Sequence, residues 1–398
     1  MMNLSQNVLL CEYSPMRKFH PYAAAAAQQG KKIYHLNIGQ PDIKTPEAFF
    51  AAVRNFQQDV LAYCPSQGLP EMIEAVRQYY CKLGASFETK DILITTGASE
   101  GLLFLMQAIL DAGSEVITPE PFYPNYETCA LIAGGALRPI MTRPKNGYRY
   151  ATREQIEPLI NKKTRAIMLA NPSNPTGYIL SSEEMRLLAD IAIENDLYLI
   201  ADEVYREFAY GERMPESFSK FKDLEQHLVL VDSASKRFSA CGARIGALLT
   251  KNEALMAQMM KLAQCRLSVA TLDQVATTAL YQLDPGYFDE VREEYHRRRD
   301  ICYKKLMEIP GVCCECPEGA FYMMAKLPVD DTEKFQKWLL EEFEDNGETV
   351  MFAPGIGFYT TPGCGTQEIR IAYVLEGHKL ERAMELLGIA IAQYNARG

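Results

Sequence analysis

The sequence predicts an α/β protein: a mainly parallel sheet with helices on both faces, joined to a smaller α+β domain. Three observations carry this. Between residues 91 and 250, short apolar runs alternate with amphipathic stretches, roughly 30 residues to a unit, as strand–helix–strand crossovers do. The apolar runs are nearly unbroken, as strands covered on both faces require. Pro285–Gly286 then interrupts the pattern, and a long charged helix with further strands follows.

In chain order, DILITT (91–96) reads as a strand and GLLFLMQAIL (101–110) as a helix. SEVITPE (114–120) is a strand, ETCALIAGG a helix closed by Gly134–Gly135, and ALRPIM the next strand. TRAIMLANP (164–172) is a strand, SSEEMRLLADIAIEND (181–196) a capped helix and LYLIADEVY (197–205) a strand. HLVLVDS (227–233) and RIGALLT (244–250) complete the larger set. Beyond Pro285 come the helix FDEVREEYHRRRDICYKKLMEI, strands at FYMMAKLP, TVMFAPG and EIRIAYV, and the helix TEKFQKWLLEEFEDNG. The expected division is 1–45 packing with the small domain, 46–284 as the large domain and 285–398 as the small one. The AAAAA run at 23–27 sits in a helix.

Composition narrows the function. A chain of 398 residues exceeds one ordinary core. With 48% apolar and 23% charged residues it reads as soluble and globular. Its net charge of −10 argues against a nucleic-acid partner, while leaving room for a local arginine cluster that binds small anions. No apolar run approaches the roughly eighteen residues of a membrane span. The start, MMNLSQNVLLCEYS, lacks the pattern of a secretory signal, so a cytoplasmic setting is expected. Of eleven cysteines only Cys313, Cys314 and Cys316 cluster, and no second ligand pair accompanies them. Reduced thiols and no metal are therefore expected.

In open parallel sheets, ligands bind beyond the carboxyl ends of the strands. Five such ends stand out. Gly97-Ala98-Ser99-Glu100-Gly101 offers free amides at a helix start, a phosphate cradle or simply a capped helix. Pro121-Phe122-Tyr123-Pro124-Asn125-Tyr126 offers aromatics, for stacking on a flat ring or for core packing. Asn171-Pro172-Ser173-Asn174-Pro175-Thr176-Gly177 is a shaped turn, with an asparagine amide aimed into a cleft or a plain connection. Asp202-Glu203-Val204-Tyr205 ends a buried strand in a carboxylate that needs a cation, from a ligand or from a neighbouring arginine. SASKRFSACGARIG (233–246) combines Ser233, Ser235 and Arg244, suited to a phosphate dianion, with Lys236, an amine suited to Schiff-base chemistry; a basic surface loop is the plainer alternative. Pyridoxal phosphate, which is flat, cationic and phosphorylated and carries an aldehyde, uses all five.

NPSNPTG, ADEVY and SASKRFSACGARIG, in that order and spacing, resemble the class I/II aminotransferases of the fold-type-I pyridoxal-phosphate enzymes. The resemblance runs from LNIGQPD to EIRIAY, nearly the whole chain, and extends to bacterial aspartate and aromatic aminotransferases. It implies that Lys236 forms the Schiff base and moves the proton. Asp202 pairs with the ring nitrogen, Tyr205 and Asn174 bind the phenolic oxygen, and Tyr123 stacks on the ring. The amides of Ala98 and Ser99, the hydroxyls of Ser233 and Ser235, and Arg244 hold the phosphate. Arg370 binds the α-carboxylate, with Gly39 and Asn174 beside it. Tyr63, in AYCPSQGLPE, matches a tyrosine that reaches the phosphate of a neighbouring subunit, which implies a homodimer with composite sites.

The expected reaction is ping-pong amino transfer from aspartate, or another acidic or aromatic amino acid, to an acceptor such as 2-oxoglutarate. A β-eliminating carbon–sulfur lyase on the same scaffold is the alternative, with a non-catalytic sensor behind it. Ser99 stands where some relatives carry a lysine for the distal carboxylate. Arg17 and Arg266 are the other candidates for that clamp, against surface salt bridges as the plainer reading. PGIGFY (354–359) resembles a mobile loop near the substrate and is equally compatible with a simple turn.

Overall fold

The structure is a computed structural model that describes residues 3–211 and 216–397. Strands are numbered in chain order: β1 (Lys32–His35), β2 (Ile92–Thr96), β3 (Glu115–Glu120), β4 (Ala136–Met141), β5 (Thr164–Ala170), β6 (Tyr198–Asp202), β7 (Leu228–Ser233), β8 (Ile245–Leu249), β9 (Cys313–Cys314), β10 (Tyr322–Lys326), β11 (Glu348–Met351), β12 (Ala353–Pro354) and β13 (Glu368–Ala372).

Seven of these form one sheet in the order β2-β8-β7-β6-β5-β3-β4. Its pairs are parallel except β2–β8 and β7–β8, so the mainly parallel expectation holds with β8 as the reversed strand. Alternate residues feed the two faces, as the two-residue period of a strand dictates. Ile167 and Leu169 of β5 enter one core, and Ala166 and Met168 the other. Leu228 and Leu230 of β7 face the first core, and Val229 and Val231 the second. This two-sided burial is why the strands read as unbroken apolar runs.

The helices flank this sheet. Ser182–Glu194 begins where the sequence places it: Ser181 Oγ accepts from the Glu184 amide, and the Glu184 carboxylate accepts from the Ser181 amide. LYLIADEVY is shorter as a strand than expected, because β6 stops at Asp202 and residues 203–206 turn away.

The smaller unit holds the antiparallel sheet β12-β13-β10-β9, packed against the helices Gly286–Met307 and Gly377–Asn395 around a third core. β1 pairs in parallel with β11, so the N-terminal segment joins this unit. The geometry leaves the carboxyl ends of β2, β6 and β7 facing β10 and β13 across a cleft, where a single cavity draws residues from both units.

Candidate active site

A cavity of about 610 Å³ opens at this cleft. Ala98, Ser99, Tyr123, Asn174, Asp202, Tyr205, Ser233, Ser235, Lys236, Arg244, Gly39 and Arg370 all line it. Of the residues expected from the sequence, Tyr63 and Arg266 stand apart: neither lines the cavity, and Tyr63 is 80% exposed.

At one end lies a cradle for an anion. The helix Gly97–Ile109 points its first turn at the cavity, so its amides are available there. Ser233 ends β7, and its Oγ accepts from the Ser235 amide (3.1 Å) and donates to the Ile245 carbonyl (3.0 Å). Arg244 adopts a left-handed backbone, φ 54°, that turns its guanidinium back to Ser235 Oγ at 3.4 Å. Gly97 leaves room for that guanidinium, since a Cβ there would lie 2.4 Å from Arg244 Nη2. No carboxylate pairs with Arg244 among the described residues.

The two cations of SASKRF have different environments. Arg237 is buried and bound by both oxygens of Asp232 at 2.9 and 3.0 Å, which fixes the turn after β7. Lys236, one residue earlier, faces the cavity, and its Nζ donates to the Gly39 carbonyl at 2.8 Å.

Asp202, at the tip of β6, is 4% exposed. Tyr126 Oη donates to its Oδ2 (2.7 Å) and the Val204 amide to its Oδ1 (3.3 Å). Burial pushes its pKa up to about 6, against the pull of the Tyr126 bond. No basic side chain forms an ion pair with it among the described residues; nearby Arg206 pairs instead with Glu203 and Glu207. No described arginine therefore supplies the salt-bridge alternative for this carboxylate. Tyr123, also on the cavity wall, has its phenol pushed up to about 12 by burial.

The opposite wall holds Arg370 from β13, 2% exposed. Its Nη1 donates to Asn174 Oδ1 (3.1 Å) and its Nη2 to the Asn37 carbonyl (2.8 Å), while Nε lacks a partner. A buried guanidinium without an acid is costly unless an anion joins it. Asn174 in turn points its Nδ2 at Tyr205 Oη, 3.4 Å away.

The two candidates for a second clamp separate. Arg266 pairs with Glu100 at 3.0 Å and the Ser66 carbonyl at 2.9 Å, which favours the salt-bridge reading for it. Arg17 lines the cavity mouth, and its side chain has no partner among the described residues. Its segment is fixed: Asn37 Nδ2 holds the Met16 carbonyl at 2.7 Å, and Pro15 sits on Gly357, where a Cβ would lie 2.4 Å from it. PGIGFY thus forms a short helical turn, Gly355–Phe358, against this segment.

The roles of Tyr126, Asn37 and Tyr322 escape sequence reasoning, although the stretches that hold them stand out. Each acts through a partner distant in the chain, and no spacing rule reports such a pair.

Residues 31–387 match the family Aminotransferase class I and II. The chain belongs to this aminotransferase family. It is 31% identical over 366 residues to the aspartate aminotransferase of Bacillus subtilis, covering 89% of this chain and 90% of that one. It is 32% identical over 395 residues to the aspartate aminotransferase of Pyrococcus horikoshii, covering 98% and 97%. Among solved structures, Thermus thermophilus aspartate aminotransferase with maleate superposes with a TM-score of 0.89 at 29% identity, over 98% of this chain and 100% of that one. Alanine aminotransferase from Pyrococcus furiosus superposes with a TM-score of 0.90 at 28% identity, over 98% and 100%. The chain is thus an aminotransferase-family protein of the fold-type-I pyridoxal-phosphate class, with amino acids and 2-oxo acids as its substrate class.

Proposed function

We propose that this aminotransferase moves the amino group of an acidic or aromatic amino acid, aspartate first, to a 2-oxo acid such as 2-oxoglutarate in two ping-pong half-reactions (EC 2.6.1.-), with pyridoxal 5'-phosphate held on Lys236. The observation that carries the reading is Arg370: a buried guanidinium with no acid partner among the described residues, across the same cavity from the Lys236 amine. An α-carboxylate there would bring its own amino group towards Lys236.

The residues fit the cofactor on three counts. Asp202 is a buried carboxylate with a raised pKa and no ion-pair partner among the described residues, which suits a protonated ring nitrogen. Arg244, Ser233, Ser235 and the amides of Ala98 and Ser99 suit a phosphate dianion. Tyr123 offers a ring face, and Tyr205 and Asn174 offer donors for a phenolic oxygen. Pyridoxal phosphate, when bound, supplies an aldehyde that condenses with amines and a ring that accepts the electrons of a broken Cα–H bond.

The chain's own groups supply the rest. Lys236 removes the proton at the substrate Cα and returns one, as base and then acid. Asp202 holds the proton at the ring nitrogen. Arg370 binds the α-carboxylate as a fork, with Asn174 beside it holding the guanidinium through Oδ1, and Gly39 lets the backbone approach. Arg17, whose segment is fixed at the mouth and whose side chain has no partner among the described residues, suits the distal carboxylate of a dicarboxylic substrate, and this supports the acidic preference.

A homodimer with composite sites completes the reading. Tyr63, Val60 and Leu61 are exposed at 80%, 72% and 64%, an apolar strip that a second copy would cover, bringing Tyr63 to the partner's phosphate. The division at 45 and 284 is retained, supported by β1 joining β11. A cytoplasmic setting is retained too: all eleven cysteines are free thiols, and no helix among the described residues is long and apolar enough to cross a membrane.

The test is a panel of amino acids with 2-oxoglutarate, each product identified. Aspartate consumed with equal amounts of oxaloacetate and glutamate formed supports the proposal. Pyruvate and ammonia released from cysteine conjugates, without glutamate, would replace it with the β-lyase. No turnover of any amino acid by the loaded protein would replace it with a sensor.

A further inference from the structure

Tyr322 opens β10 and lines the cavity, 2% exposed. In the β10–β13 register Tyr322 faces Ala372 and Met324 faces Arg370, so Tyr322 and Arg370 are diagonal neighbours. The Arg370 guanidinium lies 4.4 Å from the Tyr322 ring centroid. The Tyr322 hydroxyl is wedged from the other side by Gly39, where a Cβ would lie 1.8 Å from it. Its hydrogen-bond partner is Tyr205 Oη, at 3.1 Å, across the cleft.

The directions of these bonds can be worked out. Arg370 has donors only, so Asn174 must accept through Oδ1 and present its two Nδ2 hydrogens. One of them points at Tyr205 Oη. A tyrosine hydroxyl has one proton and two acceptor sites. Asn174 takes one site, and Tyr322, whose hydroxyl has no other hydrogen-bond partner among the described residues, donates to the second. The Tyr205 proton is then left to point into the cavity.

We propose that Tyr322 is a positioning residue that, with Asn174, fixes Tyr205 as a donor towards the cofactor's phenolic oxygen and ties that donor to the carboxylate-binding arginine. The proposal rests on the pyridoxal-phosphate reading above. A hydroxyl that accepts two bonds donates more strongly. Donation to the phenolic oxygen favours the form in which the neighbouring nitrogen has lost its proton, and therefore lowers the pH at which the bound cofactor's visible band changes.

The experiment is a pH titration of that band in the loaded protein, for the parent, Tyr322→Phe, Tyr322→Leu and Tyr205→Phe. Tyr322→Phe keeps the ring against Arg370 and Gly39 and removes only the hydroxyl. Its midpoint should rise by about half a pH unit, in the same direction as the larger rise in Tyr205→Phe, with KM for the amino acid nearly unchanged. Tyr322→Leu should show the same shift and, with the ring gone from Arg370, a higher KM as well. A parent band with an unmoved Tyr322→Phe midpoint, while Tyr205→Phe shifts, overturns this proposal alone. A loaded parent without a visible band overturns both it and the cofactor reading.

Discussion

Asp202→Asn tests the electrostatic basis of the site without requiring turnover. In the cofactor-free protein the carboxyl is buried and its pKa is raised from 3.8 to about 6. A group whose folded pKa lies above its unfolded value stabilises most when protonated. Its contribution is full below pH 3.8 and is lost as pH rises through about 6. At about 1.4 kcal/mol per pH unit, keeping the carboxylate charged above pH 6 costs the empty fold about 3 kcal/mol. Asparagine removes that cost but gives up one of the two hydrogen bonds from Tyr126 and Val204, about 1 kcal/mol. The cofactor-free variant should therefore be about 2 kcal/mol more stable than the parent at pH 8. Near pH 4 that advantage should vanish. Glu203, raised to about 7 by burial, titrates in both proteins and cancels in the comparison. Urea unfolding of both cofactor-free proteins at the two pH values measures the difference. Loading should stabilise the parent more than the variant, since only the parent offers an anion to the ring nitrogen. A variant less stable than the parent at pH 8, or a difference independent of pH, would refute the reasoning.

Further outcomes follow from the other walls of the cavity. Arg370→Leu should raise KM for every amino acid by about 100-fold or more, the size of a lost bidentate carboxylate bond, while the visible band of the loaded protein persists. Arg17→Met should lower kcat/KM for aspartate about 5–10-fold, the size of one partly exposed ion pair with good geometry, and leave alanine unchanged. Gly97→Ala places a Cβ against Arg244 at φ 69°, so cofactor affinity by equilibrium dialysis should fall about 10-fold or more.

Much of the fold and of the site could be read from the chain because buried parallel strands and strand-end loops leave local traces. β5, β6 and β7 have alternating residues in two cores, which makes them apolar throughout, and the residues just past them break that run abruptly. Asp202 and Lys236 are visible for this reason. β1 left no such trace, because KIYH becomes a strand only through its pairing with β11, over 300 residues away. The same limit hid Tyr322, whose role depends on Tyr205 and Arg370, and Tyr126, whose hydroxyl reaches Asp202 from the helix Asn125–Ile132. Arg266 shows the converse limit: a cation in a suggestive segment whose pairing with Glu100 the sequence could not choose over a substrate clamp.

The most direct test of the central claim is borohydride reduction of the cofactor-loaded protein, followed by peptide mass mapping. The account predicts the reduced cofactor on Lys236, and its loss from that site when aspartate is added first, with one 2-oxo acid formed per site. Attachment to another lysine, or label on Lys236 that no amino acid diminishes, would contradict it.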